Sequence, residues 1–597
     1  MNPVIKAQLS NYATSASLQQ LSESDQFEVY TVFSVLCGLL GESVDPVDVH
    51  LQGCEFGTDG VAILLQGELV RNADEVAEKL EYVTNPSIDF VFFQSKTGAG
   101  FDYGDVSKFF DSIKEFFSGG MAGESEQLDD LIAAMNVVYA RGVGRKNPSI
   151  RAYYATTGNY DEPRRIERLR ENFLTEMSDL NIFDRDAIEA NFVGAAQLQN
   201  CYRAATTSAE VEIDFPRNVV MPDNDKVDEA YIGYLTADQL SKLFIIRGED
   251  GSVVGVNKSV FFDNIRDYNP KSDINIEIKK SVSELGGGDF IFKNNGITVV
   301  AKSTKRTGDR FKIEDFQIVN GCQTSNIIFD LLYGPDATFQ ETEKLSAEIS
   351  VPFRLIGSKH NDFVGSIIIG TNRQNPVKAE QFWALRPFMK SFEEYASSTS
   401  ADEVIYFERR ENQYRGQDVE RVRIVQPSTM MKALAAVVLY QPHRAGRDYR
   451  GIVSEYEKKL FHDDHDVRIY HAACYLHYRI EFLWRNQRLN TDLKVYRFYI
   501  LTAIGLVVTQ GENLFSLKAS KVEKVVGKLL DIAKDELLFC DIAVKASNMV
   551  RKVQSKIGPV SSDKARDTLR NEAVANQFKS DWQHYASENL DEWFYRS

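Results

Sequence analysis

The sequence predicts an α/β protein of several domains: an α/β domain over residues 1–205, a linker over 206–230, a second α/β region over 231–426 and a mainly helical part over 427–597. Three observations lead there. A chain of 597 residues is too long for one ordinary core. In its first two thirds, short β-branched and aromatic runs alternate with helical patterns, the signature of α/β layering. Beyond Pro427 proline almost disappears after Pro442, and amphipathic runs such as Lys518–Leu538 take over.

Each element of the first domain has its own signal. The apolar-rich stretch 20–41 predicts a helix capped by Ser22 or Ser24 and stopped by Gly41. Asp59-Gly-Val-Ala-Ile-Leu-Leu reads as a strand entering a hairpin at Gln66-Gly67. Acidic Asn72–Val83 reads as a surface helix, and Ile88–Lys96 (IDFVFFQSK) as a buried strand. Val106, Phe109, Phe110, Ile113, Phe116 and Phe117 then mark one helical face, capped near Asp102 or Asp105 and ended by Gly119-Gly120. A strand at Ile150–Thr156 and a basic helix around Arg164–Arg170 follow, and the domain closes near Arg203. Residues 206–230 are polar, with two prolines and a Pro-Asp-Asn-Asp run, which reads as the linker.

Composition narrows the function classes. With 43% hydrophobic and 26% charged residues, the chain is of ordinary globular type. Its longest apolar runs, Ile500–Thr509 and Ala433–Tyr440, have the size of core helices, and the N-terminus lacks a basic, apolar leader. A cytoplasmic protein without membrane contact is the expectation. Cys37, Cys54, Cys201, Cys322, Cys474 and Cys540 are scattered without a CxxC pair, so free thiols are expected rather than disulfides or a thiolate zinc site. A net charge of −17 argues against dense nonspecific coating of nucleic acid, while leaving room for a local basic groove. Neither a Gly-x-Ser-x-Gly elbow nor a P-loop lysine motif occurs.

One constellation carries chemistry. Cleavage of a phosphodiester with a metal needs carboxylates to hold the cation and a basic group to orient or activate water. Asp59 opens one strand, and Gln94 and Lys96 end another, two residues apart and therefore on one face. This order and spacing resemble the PD-(D/E)XK nuclease superfamily, whose fold is restriction-endonuclease-like. Two departures stand out: no proline precedes Asp59, and Gln94 offers a neutral oxygen in place of a carboxylate. Glu28, on the preceding helix, could supply the missing charge, as helical glutamates do in some members. The resemblance implies Mg²⁺ or Mn²⁺ held by Asp59, Gln94 and Glu28, with Lys96 beside them. The plain alternative is a chance spacing, with Lys96 simply ending a strand.

A second group of residues suggests binding. Asn294-Asn295-Gly296, Asn320-Gly321-Cys322-Gln323-Thr324 and Asn372-Arg373-Gln374-Asn375 each follow a β-branched run, read as a strand. Each sequence suits a turn. Together, Asn294, Asn295, Asn320, Gln323, Thr324, Asn372, Gln374 and Asn375 could also line a polar pocket for a nucleotide, sugar or base edge. These stretches, with FFDNIRDYN at 261–269 and YFERRENQYRG at 406–416, resemble the AIPR family, named for abortive-infection phage resistance. The resemblance covers roughly residues 230–520 and implies anti-phage defence. FVFFQSKTGAGFDYGDVSKFFDSIKEFF is similar to the front part of many AIPR proteins, where it accompanies a nuclease-like fold.

Basic residues complete the reading. Arg409, Arg410, Arg415, Arg421 and Arg423 interleave with Tyr406, Phe407 and Tyr414, a mixture suited to phosphates and stacked bases; surface ion pairs are the plain alternative. The Arg141–Arg151 and Arg164–Arg170 clusters could line a nucleic-acid path, with DNA favoured over RNA. His462-Asp-Asp-His465 reads better as a loop or helix turn than as a metal site. The expectation is thus a metal-dependent defence nuclease, governed by its AIPR region and answering a phage-derived trigger or partner protein. A binding or sensor protein with a degenerate nuclease fold is the alternative, and self-association stays open.

Overall fold

β-Branched and aromatic runs build the first sheet. β1 (Gly60–Leu65), β2 (Glu68–Val70), β3 (Ile88–Lys96), β4 (Ser149–Thr156) and β5 (Ile188–Val193) lie in the order β2-β1-β3-β4-β5. β1 runs antiparallel to β2 and β3, whereas β3, β4 and β5 are parallel. The computed structural model describes the chain except residues 54–56, 83–85, 143–146, 248–252, 262–288, 335–336, 338, 372–385, 410–412, 447–448, 457–458, 463–464, 558–567 and 595–597. The chain divides into two units, Met1–Ser10 with Glu23–Val377, and Asn11–Ser22 with Lys378–Ser597.

The expected hairpin is present: Gln66 and Gly67, both at positive φ (53° and 66°), turn β1 into β2. Every residue of β3 but its last is buried, as a strand covered on both faces requires. On one face Val61, Ile63, Phe90 and Phe92 join Phe109, Ile113 and Phe116 of a long helix in a single core. After α1 (Pro3–Ser15), α2 (Glu23–Phe33) and α3 (Ala73–Tyr82), this helix is α4 (Tyr103–Ser118). Its cap is the expected Asp102, whose carboxylate accepts from the amides of Gly104 and Asp105. α5 (Glu126–Val137), α6 (Arg164–Asp179) and α7 (Ala195–Thr206) complete this part.

α2 continues as a π-helical turn over Ser34–Leu39, and α7 packs directly on it. Gly38 permits this approach, since a Cβ there would stand 1.9 Å from the Cys201 carbonyl oxygen.

The second sheet has six strands in the order β6-β12-β11-β13-β8-β7. Its members are β6 (Glu210–Asp214), β7 (Asn218–Val220), β8 (Glu229–Thr236), β11 (Ile297–Thr307), β12 (Arg310–Asn320) and β13 (Ser350–Gly357); β9 (Ile245–Arg247) and β10 (Val253–Val256) pair separately. Residues 206–230 therefore hold the two edge strands β6 and β7 as well as the start of β8. Edge strands face water along one side, so their polar composition mimics that of a linker. One face of the sheet packs Val299, Phe311, Ile313, Val351 and Phe353 against Leu240 of α8 (Ala237–Ser241) and against Ile328 and Leu332.

Two runs read as strands are helical. Phe290–Lys293 is a single turn, α9, and Ile328 belongs to α10 (Cys322–Tyr333), which is followed by α11 (Phe339–Glu348). Ile367-Ile368-Ile369 lies in α12 (Asn361–Thr371), where Val364 and Ile367 pack on Val300 and Val319 of the sheet. Short apolar runs do not distinguish strand from buried helix by periodicity, and here tertiary packing decides.

The second unit is mainly helical, as expected. One large core joins α13 (Pro387–Ser398), α14 (Pro427–Val437), α15 (Val467–Arg485), α16 (Arg497–Thr509), α17 (Ala519–Lys534), α18 (Glu536–Ile557) and α19 (Glu572–Phe594). The amphipathic run at Lys518–Leu538 is split by Asp535, whose carboxylate accepts from the Leu538 amide (2.9 Å) and caps α18. Thr491–Ser516 is long and apolar enough to cross a membrane by length and composition alone, but 61% of the tested stretch is buried inside the protein. The five described cysteines are free.

Gly38→Ala is expected to destabilise the protein by about 1–3 kcal/mol or more, because backbone rather than a mobile side chain must move. Gly100→Ala, where nothing lies within 4 Å, serves as the control. Paired thermal melts check the difference.

Candidate functional site

Asp59 stands immediately before β1. Its amide donates to the Phe93 carbonyl (2.8 Å), so Asp59 and Gly60 both stand against Phe93 where the regular ladder ends. Strand alternation sends Gln94 and Lys96 from β3 on one face. Between them, Ser95 fixes the Asp59 carboxylate, donating to Oδ2 from its amide (2.6 Å) and its hydroxyl (3.1 Å).

The neighbouring helix brings a second carboxylate. Glu28 Oε2 lies 2.7 Å from His50 Nε2, and Glu28 Oε1 accepts from the Ser24 hydroxyl (3.3 Å). His50 is positioned by an antiparallel bridge to Gly60, beside the Leu51 amide's bond to the Asp59 carbonyl (2.8 Å). Gln127 Nε2 donates to the carbonyls of Asp48 and His50 (3.3 and 3.2 Å), anchoring the segment. Loss of hydration, followed by the nearby Glu28 charge, pushes the Asp59 carboxyl up to about 7, against the opposing pull of Ser95 and Lys96.

Gln94 is 4% exposed, and its Oε1 has no hydrogen-bond partner; its Nε2 donates to the Ser95 carbonyl (3.5 Å). An orphaned buried amide oxygen is costly, and it is an oxygen donor of the kind a hard cation accepts. Lys96 is more open, with Nζ 4.0 Å from Asp105 Oδ1. Glu28, Asp59, Gln94 and Lys96 thus collect at one end of the first sheet. Sequence reasoning missed Ser95, Asp25 and His50. Asp25 and Glu28 stand three apart on α2, a spacing visible in the sequence, but nothing local ties them to His50.

At the second sheet, the first two amide-rich loops are adjacent. Asn294 Oδ1 accepts from the Gly296 amide (2.8 Å), and Asn294 Nδ2 donates to Thr324 Oγ1 (3.0 Å). Thr298 pairs with Asn320, and at Gly321 (φ 102°) a Cβ would stand 2.4 Å from the Ile297 side chain. Asn294 and Thr324 are thereby engaged in holding the turn, while Asn295 and Gln323 are exposed at the same end of the sheet. Asn372, Gln374 and Asn375 of the third loop, and Arg410, lie outside the described residues.

In the second unit, Arg409 is buried and its guanidinium pairs with Glu393, which Gln413 also contacts. Arg423 donates to the Val404 carbonyl (2.9 Å) and lies over the Tyr478 ring. Both arginines serve their own unit's packing here. His465 stacks on Phe515, with ring centroids 4.4 Å apart, and its Nδ1 lies 2.8 Å from the Tyr470 hydroxyl.

Fold and site together define a class: a chain of two mixed sheets and a helical part, with clustered carboxylates at the end of its first sheet. Residues 261–556 match the model of a family described as AIPR protein, so the chain carries an AIPR domain there. That domain suggests a role in bacterial abortive infection and resistance to phage. No curated protein and no solved structure matches the chain.

Two outcomes are expected. Arg409→Ala leaves the buried Glu393 carboxylate without its cation and should cost about 3–5 kcal/mol, read by denaturant unfolding. For Asp59, a folded-state pKa above the unfolded value means the folded protein loses stability as pH rises from the ordinary carboxylate range through about 7. In chelator-treated protein, Asp59→Asn should therefore raise Tm at pH 8 and change it little at pH 5.

Proposed function

We propose that the chain is an anti-phage defence protein whose first sheet carries a metal-dependent nuclease site, with the AIPR domain regulating or targeting it. The observation that carries this reading is the Asp59 carboxylate held by Ser95, the β3 residue between Gln94 and Lys96, with Glu28 close enough to raise the Asp59 pKa. The mixed sheet, antiparallel on one side of β3 and parallel on the other, supports the likeness to PD-(D/E)XK nucleases.

The donor set fits a hard divalent cation: two carboxylates in mutual repulsion and a buried amide oxygen without a donor. Asp59, Glu28 and Gln94 would hold Mg²⁺ or Mn²⁺, which supplies charge neutralisation at the scissile phosphate and a more acidic water. Lys96 would orient the attacking water or meet a phosphate oxygen, and Ser95 holds the Asp59 carboxylate in place. DNA is the favoured substrate. Gln94, standing where a third carboxylate would bind more tightly, favours a second reading: a nucleic-acid- or nucleotide-binding regulator with a degenerate nuclease fold.

Incubation of the full chain with plasmid, single-stranded DNA and RNA, with and without Mg²⁺ or Mn²⁺, separates the two. Cleavage should require the cation and should fall on the order of a hundredfold or more in Lys96→Ala and Asp59→Ala. If both variants protect cells from phage as well as the parent does, cleavage is not the defence step.

A further inference from the structure

One ligand atom from each of Asp25, Glu28 and His50 lies within 4.8 Å of the other two. Asp25 and Glu28 stand three apart on α2 and so share one helical face. His50 comes from a separate segment, held by its bridge to Gly60 and by Gln127 on its carbonyl. Its side chain is 4% exposed, and Glu28 is 16% exposed. Two carboxylates and an imidazole, fixed by different elements, form a donor set unlike the all-oxygen set of Asp59 and Gln94.

A second feature points to a cation at this end of the sheet. Gln94 Oε1 is buried without a donor, and the next residue along β3, Ser95, holds Asp59, the carboxylate that feels the Glu28 charge. Glu28 thus stands between two groups of donors.

We propose that Asp25, Glu28 and His50 form a divalent-metal site of the imidazole-accepting class, with Mn²⁺ its representative, sharing Glu28 with the Asp59–Gln94 position. The proposal deepens the nuclease reading and rests on it for a catalytic role, but binding itself needs no cleavage. Imidazole nitrogen suits first-row transition cations, whereas Mg²⁺ prefers oxygen and keeps its waters. His50 consequently biases this position against Mg²⁺. Binding through Nε2 would need that nitrogen's lone pair, so the ring proton would sit on Nδ1 and the 2.7 Å contact with Glu28 would give way to shared coordination of the cation.

The test uses the full chain, stripped with chelator and titrated with Mn²⁺. Electron paramagnetic resonance counts bound Mn²⁺, and pulsed measurements detect coupling to an imidazole nitrogen. The expected result is such coupling at one equivalent, retained in excess Mg²⁺ and lost in His50→Gln. Asp25→Asn, at a partly exposed position, should weaken Mn²⁺ binding about tenfold or more while its circular dichroism and melting stay native. Absence of coupling in the parent, its persistence in His50→Gln, or unchanged affinity in Asp25→Asn overturns the proposal. Cleavage assays on the same samples keep the two readings apart. Nitrogen-coupled Mn²⁺ in a protein that cuts nothing supports the site and removes the nuclease. Mg²⁺-dependent cutting without coupling removes the site and leaves the nuclease.

Discussion

In the register that pairs Gly60 with Phe93, every side chain of β1 and β3 is assigned to a face, and the remainder of the first domain depends on it. Side chains alternate with a period of two, so a slip of one residue would exchange the buried and outer sets. Val61, Ile63, Phe90 and Phe92 would leave the core they share with α4, and Ser95 would no longer meet the Asp59 carboxylate. The apolar part of the ladder thereby holds the polar end in place. Hydrophobic burial along β3 fixes where the carboxylate of Asp59 must stand, although that carboxylate gains nothing from burial itself.

The electrostatic strain at that end has a local origin. Glu28 and Asp59 arrive on different elements, are partly removed from water and repel one another, while Ser95 and Lys96 offset only part of the cost. The opposite face of the same sheet handles charge differently. There the Arg151 guanidinium stands 3.4 Å from buried Asp89 and 3.5 Å from exposed Glu189, so opposite charges offset one another. One cluster is balanced by the protein's own residues, and the other carries excess negative charge. That contrast sets the Asp59 end apart from ordinary buried ion pairing.

Much of the first domain was legible because its signals are local and strong. The β3 run is apolar on both faces, Asp102 precedes a clean helical period, and Gln66-Gly67 suits only a tight turn. Legibility failed where partners distant in sequence decide the outcome. Residues 210–214 and 218–220 are polar because they sit at sheet edges, and only their pairing with β12 and β8 makes them strands. The isoleucines of α12 contain no period that separates helix from strand; the packing of Val364 and Ile367 on Val300 and Val319 settles it. At the site, Asp59, Gln94 and Lys96 follow a known spacing, and Glu28 could be anticipated from the helix before them. His50 could not, because its place depends on a bridge to Gly60 and a hydrogen bond to Glu28 that no spacing announces. In the arginine-rich segment, Arg409 shows the converse: a residue type suited to phosphate, engaged instead by Glu393 across sixteen residues of chain.

The second unit is assembled from two separated stretches, Asn11–Ser22 and everything from Lys378 onward, with Arg485 donating to the carbonyl of Ala16 (3.2 Å). This arrangement bears on the birth of the molecule. Residues 11–22 are made before residues 23–377, and the helices they join are made only after them. The second unit therefore cannot close until synthesis has passed the long stretch of the first, and chains cut short within that stretch would lack it. The order of the sequence itself thus makes the second unit wait on the first.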